Sequence, residues 1–286
     1  MNYASTYCFL LIGLLASCTG CQKEPTQLSS AQQNGCLMAT QTTKQLVSER
    51  QPSQLDLETV IVDGKSFRVS TTKKSAYTYD EQGRILTEYN QYAGSEANYV
   101  RANANSVFYQ YSASEVLIRT VSFSDNTKNE RSYTVALNKQ GLAEKLPLDF
   151  KATYDNSGYL LSLVNDDYKL AATIDKGNII EQTMPGYDAT PSHTFRYTYD
   201  LDKPGLPAIP TFYGKPSRHL PAGYTIQQNG PFGVYPNVYQ VSYTYTFNEL
   251  GLVKRQIFQG KNGEKAYLYG GGSPIKVTDF TYTCSQ

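Results

Sequence analysis

His193 and His219 are the only imidazoles in the chain, so any chemistry that needs a histidine base or ligand must pass through one of them. Zinc chemistry calls for several His or Cys ligands, and no Cys lies near either histidine in sequence. A Ser-His-Asp relay lacks the Gly-x-Ser-x-Gly elbow that would expose its nucleophile. Glu130 and the pair Asp166-Asp167 are the acids available for a glycosidase-type couple, but carboxylates in turns are far more often solvated. Asp200-Leu201-Asp202-Lys203-Pro204-Gly205 opens like a calcium loop, yet the closing bidentate Glu is missing. Gly270-Gly271-Gly272 is followed neither by Lys-Ser/Thr nor by a helix that would cradle phosphate. These residue types designate no catalytic residue, no metal site and no cofactor.

They point instead to a contact surface. Asp200 to Asn237 holds seven of the 13 prolines together with Phe212, Tyr213, Tyr224, Phe232 and Tyr235. It reads as a Pro-rich loop without strands, spanning 200–237, and a long insertion of that kind in a compact domain is usually functional or disordered. As a ligand site it would stack Tyr213, Tyr224 and Tyr235 on sugar rings, with Arg218 and His219 hydrogen-bonding beside them. As a structural element it would pack as a cover over one face of a sheet.

The elements that must position such a loop are hairpins. Tyr239, Val241, Tyr243, Tyr245 and Phe247 alternate with Gln240, Ser242, Thr244 and Thr246, which places rings on one face of a strand and small polar residues on the other. Asn248-Glu249-Leu250-Gly251 reverses the chain, with Gly supplying the left-handed conformation. Asp80-Glu81-Gln82-Gly83, Asn138-Lys139-Gln140-Gly141 and Asp155-Asn156-Ser157-Gly158 repeat that reversal between β-prone runs. Arg196 to Asp200 is a degenerate copy whose return strand is replaced by the Pro-rich loop. Asp63-Gly64 marks a tight two-residue hairpin. No window of eleven residues has defensible helical spacing. The fold class is all-β: an extended, twisted antiparallel meander of hairpins, curled into an open half-barrel.

Composition narrows the partners. The formal net charge is +1 with 18% charged residues, and no basic stripe is available to neutralise phosphates, which excludes nucleic acid. There are 25 Tyr against 11 Phe and no Trp, a choice that suits rings with one wet end. Cys8 to Leu15 is too short an apolar run to span a bilayer and reads as the core of a signal peptide. Cys36 and Cys284 bracket the domain, and an oxidising compartment would join them as a disulfide between the first and last strands; the alternative is two buried thiols.

Resemblances to known motifs extend this reading. Leu15-Ala16-Ser17-Cys18 resembles the bacterial lipobox, which implies an acylated Cys18 as the mature N-terminus, although Met1 to Tyr7 carries no Lys or Arg. Cys21 is the alternative, because Cys21-Gln22-Lys23-Glu24 resembles the export signal of Bacteroidota surface lipoproteins. A plain cleaved signal peptide is the third option. Tyr77-Thr78-Tyr79-Asp80-Glu81-Gln82-Gly83-Arg84-Ile85 resembles the YD repeat of RHS and wall-associated proteins. Together with Phe212 to Pro221, the layout from Cys36 to Cys284 is similar to a family of Bacteroidota envelope lipoproteins of unknown function with YD-like hairpins. Four or five copies cannot close an RHS shell, so the resemblance implies an envelope β protein and no activity.

The expected organisation is a signal peptide at 1–17, a flexible tether at 18–35 and a β domain at 36–286. The expected role is a non-enzymatic outer-membrane lipoprotein, held by its lipid anchor and acting as a binding, adhesion or assembly module toward a glycan or an envelope protein. A carbohydrate-active hydrolase or glycan-binding accessory protein is the alternative. A carrier of a lipid-like molecule would need a continuous apolar concave face, which the Thr, Ser and Gln of the strands oppose on at least one side.

Overall fold

The computed structural model describes residues 35–47, 57–92, 103–124, 127–184, 192–207, 209–230, 233–260 and 274–284. Cys18 and Cys21 lie outside the described residues. Seventeen strands follow one another: β1 (Cys36–Leu46), β2 (Leu57–Val62), β3 (Lys65–Tyr79), β4 (Ile85–Tyr92), β5 (Asn103–Tyr111), β6 (Glu115–Ser124), β7 (Thr127–Leu137), β8 (Ala143–Lys145) and β9 (Lys151–Tyr154) come first. β10 (Leu160–Val164), β11 (Lys169–Asp175), β12 (Asn178–Met184), β13 (Ser192–Pro204), β14 (His219–Gly230), β15 (Gly233–Phe247), β16 (Val253–Gly260) and β17 (Ile275–Cys284) complete the chain. One turn of 3-10 helix, Thr211–Tyr213, is the helical structure among the described residues.

From β3 to β17 each strand pairs antiparallel with the next. β1 then pairs with β17 through Cys36↔Cys284 to Gln45↔Lys276, and with β3 through Thr40↔Ala76 to Leu46↔Val69. This double pairing closes a barrel of 16 strands, so the open half-barrel is corrected. Closure satisfies the backbone groups that two free edges would leave unpaired. Hairpin repeats specify each local pairing but not what the first strand meets, which is why closure escapes a local reading. β2 stands outside the ring, paired to β3 alone.

Strand alternation brings the β3–β4, β7–β8, β9–β10 and β15–β16 turns to the same end as Cys36 and Cys284. All four turns share one device. Asp80, Asn138, Asp155 and Asn248 each accept backbone N–H bonds on Oδ1 from the residues two and four further on, at 2.8 to 3.0 Å. Gly83, Gly141, Gly158 and Gly251 take φ between 73° and 92°, which a Cβ would strain. At the same end, Cys36 and Cys284 form the expected disulfide across the β1–β17 seam.

Register also sorts the faces. The outer face carries Thr, Ser, Gln and charges, including the pairs Arg196–Glu181 at 2.9 Å and Arg119–Glu130 at 3.2 Å. Tyr89, Leu117 and Phe123 are exposed on one sector of it. A barrel wall facing lipid would need an unbroken apolar band flanked by aromatic girdles, which these strands do not supply. The β2–β3 hairpin covers part of the outside, packing Val60, Val62 and Val69 on Ile275 and Val277. Its Glu58 joins an ion-pair cluster with Lys44, Arg255 and Asp279, in which Arg255 reaches Glu58 at 2.7 Å and Asp279 at 2.5 and 3.0 Å.

Candidate functional site, a barrel lumen stoppered at one end

The stopper is Gly205 to Ser217, the connection between β13 and β14. Its backbone is tied to the wall by Gly205 N–H to Arg218 O at 2.7 Å, Lys215 N–H to Gly158 O at 2.9 Å and Arg218 N–H to Gly177 O at 2.8 Å. A Cβ on Gly205 would stand 2.1 Å from Ser217 O, so only glycine permits the narrow neck of this loop. Phe212, 3% exposed, packs with Ile85, Tyr109, Val116, Ile118, Val135 and Ala143. Ile209 bridges that cluster to a second one containing Met38, Leu220, Val253 and Phe280. The apolar core thus sits across the closed end, where burial of one Phe side chain contributes about 1.5–3 kcal/mol.

The space above this stopper has two unlike walls. On β13–β16, Phe195, Tyr224, Ile226 and Val241 are buried among Tyr197, Tyr239, Tyr243 and Phe258. Ring centroids there lie 5.5 to 6.5 Å apart in stacked, tilted and edge contacts, the spacing at which aromatic pairs attract. Most of the hydroxyls around the ring are used inside the protein: Tyr197 donates to Gln182 Oε1, Tyr245 to Pro221 O, Tyr79 to Met38 O and Tyr282 to Val253 O. Burial pushes the Tyr245 and Tyr282 phenols up to about 12 and lifts those of Tyr197, Tyr224 and Tyr243 as well. These rings therefore stay neutral and present carbon to the lumen.

Half-way round the ring, the wall on β3–β7 is polar above its base. Pairing sets Gln41, Ser75, Asn90, Asn105, Ser122 and Asn129 in one inward row, with Tyr77, Glu88, Val107, Thr120 and Arg131 in the next. Ser75 Oγ donates to Asn90 Oδ1 at 2.6 Å, and Asn90 donates to Glu88 Oε1 at 2.8 Å. Tyr109 reaches Glu88 Oε2 at 3.4 Å and Lys73 approaches Glu88 at 3.8 Å. Asn105 Oδ1, Tyr111 Oη and His193 Nδ1 are buried without a hydrogen-bond partner among the described residues. Lys276 also points inward, on the face shared with Thr278 and Phe280, between Phe258 of β16 and Gln45 of β1. Partial burial, with Lys73 nearby, pulls its ammonium below the usual lysine range. Although they face into the ring, Arg131, Lys276, Tyr133 and Tyr213 are exposed, the two tyrosines at 37%, so solvent reaches inward-facing side chains.

No family model and no curated protein matches the chain. Among solved structures it is similar to a porin-like protein from Bacteroides uniformis, with a TM-score of 0.56 and 11% identity over 86% of this chain and 98% of that one. The likeness is one of fold. A porin-like protein from Bacteroides vulgatus matches with a TM-score of 0.29 and 10% identity over 86% of this chain and 98% of that one. A LolA superfamily protein from Nitrosomonas europaea gives 0.28 and 10% over 88% and 87%.

The residues singled out from sequence do not converge. The Pro-rich stretch contains most of β14, the end of β13 and the start of β15, so the strandless loop 200–237 is corrected to Gly205–Ser217. Tyr213 belongs to the stopper, 4.4 Å from Phe212 by ring centroids, and faces the lumen beside Tyr133, Tyr154 and Tyr111. Tyr224, 7% exposed, is a core residue of the aromatic wall. Tyr235 lies on β15, and its side chain is outside the described residues. Arg218 and His219 sit at the closed end, where Asn178 bonds both the His219 backbone and its Nδ1. Burial and the adjacent Arg218 lower the His219 imidazole. Of the acids, Glu130 is on the outer face with Lys128 and Arg119, and Asp166-Asp167 form the β10–β11 turn. They make no pair. Sequence reasoning missed Lys73, Arg131 and Lys276. The alternation of Phe280, Tyr282 and Cys284, carried two steps back, reaches Thr278 and Lys276.

Proposed function

We propose that the chain is a non-enzymatic, lipid-anchored envelope protein that takes a ligand into the barrel lumen through the end opposite its anchor. The observation that carries this reading is the exposure of inward-facing Arg131, Lys276 and Tyr133 above a packed stopper whose own Tyr213 is exposed toward them. A barrel meant only as a scaffold would fill that volume with side chains, as the closed end does. The polar outer face suits a barrel standing in water rather than one embedded in lipid. The Leu15-Ala16-Ser17-Cys18 stretch supports the anchor, and the Cys36–Cys284 disulfide supports an oxidising compartment. Cys36 lies at the stoppered end, so a tether joined there would leave the mouth facing away from the membrane.

Thiol accessibility tests the reading on the mature protein. Arg131→Cys and Lys276→Cys are expected to react with a small maleimide at rates comparable to Thr244→Cys on the outer face, above the background of the unsubstituted protein. Labelling of the outer site with both inner sites inert under native conditions would mean a closed lumen and end the proposal.

A further inference from the structure

We infer that the lumen takes an anionic amphiphile: a molecule with an extended apolar part and a carboxylate or phosphate head. The inference rests on the lumen reading above and adds the chemistry of the ligand. Aromatic carbon lines one wall, where the Tyr197 and Tyr245 hydroxyls donate to protein acceptors and those of Tyr224 and Tyr243 bond one another, so that wall offers apolar contact and few free donors. A sugar would find stacking surface there but would leave its own hydroxyls short of partners. Most of the Thr, Ser and Gln expected to oppose an apolar concave face are on the outside of β13–β16, and the inward Gln228 and Gln256 are bonded to His193 and Tyr245, which leaves the rest of the inner face to hydrocarbon.

Charge supplies the second half of the recognition. Register aims Lys73, Arg131 and Lys276 inward, and Glu88 is the carboxylate beside Lys73. Glu88 is already engaged by Asn90, Tyr109 and Lys73. Among the described residues no carboxylate forms an ion pair with Lys276, which sits directly beside Phe258 at the edge of the aromatic wall. A cation at the border of an apolar surface and short of a counter-ion is the arrangement that an anionic head with an attached chain completes. A cationic or neutral head would leave Lys276 as it stands and gain nothing from it.

Isothermal titration of the mature protein with laurate, dodecyl phosphate, dodecanol and dodecyltrimethylammonium, each below its micellar concentration, tests the inference. Laurate, dodecyl phosphate or both should bind about tenfold or more tightly than dodecanol, the difference set by one charge-assisted contact. Lys276→Gln should erase most of that difference while leaving dodecanol unchanged; preference for one anion identifies the head as carboxylate or phosphate. Phe258→Ala should weaken all chains that bind, and far-UV circular dichroism checks that both variants fold. Equal binding of laurate and dodecanol, or anion binding untouched by Lys276→Gln, overturns the anionic head. Binding of none of the four overturns the amphiphile, and the maleimide reaction then decides separately whether the open lumen survives.

Discussion

At the closed end of the barrel the chain satisfies most of its own groups, Tyr111 Oη excepted: four Asp/Asn turns bond their backbones, a disulfide joins first strand to last, and Phe212 seals the interior. Toward the mouth the same strands carry inward Lys73, Arg131, Lys276, Asn105 and His193, some exposed and some with a buried atom lacking a partner. One set of hairpins therefore does two jobs, and the division is drawn by which rows of side chains face inward at each height. Stability resides where the rows are apolar and interlocked. The proposed recognition belongs where they are polar and wet.

The sharpest way to break this comparison is Phe212→Ala, which opens a cavity in the stopper. It should cost about 3–5 kcal/mol in denaturant unfolding, and a loss below about 1 kcal/mol would show that the stopper does not hold the closed end. Next in size is Arg255→Gln, which removes the cation shared by Glu58 and Asp279 beneath the β2–β3 hairpin. A cost of about 1–3 kcal/mol at pH 7 is expected. Burial alone would raise both carboxyls, but hydrogen bonds from Lys44 and Arg255 outweigh it and hold them below their ordinary values. Groups with depressed folded-state values contribute fully above the unfolded-state range near pH 4 and lose that contribution as the pH falls through the folded values. Acid unfolding of Arg255→Gln should therefore show a shallower pH dependence than that of the parent. The smallest effect belongs to the mouth: Arg131→Gln should leave the unfolding midpoint within about 0.5 kcal/mol of the parent.

Much of the closed end was legible in the sequence because its bonds are local. An Asp or Asn followed three residues later by Gly dictates its own turn, and the Tyr239–Phe247 alternation gives two faces. Cys36 and Cys284 also announced their pairing. A bond between first and last strands already implies adjacent edges, and closure of the sheet could have been inferred from it. β14 stayed hidden because Pro221 and Gly223 interrupt His219 to Gly230 and read as loop. The lumen stayed hidden for a different reason. Alternation separates rings from hydroxyls but does not say which set is enclosed, and Lys276 or Arg131 looks like an ordinary surface cation until the ring is closed around it.

The disulfide has a mechanical corollary. Cys36 and Cys284 face one another where the chain enters β1, and β1 is hydrogen-bonded along both sides, to β3 and to β17. A tug transmitted through Gly35 is shared at once between two strands by a covalent link. The two flanking ladders, β1 with β3 and β17 with β16, are then sheared lengthwise with many bonds strained together, a far more resistant geometry than peeling them apart in turn.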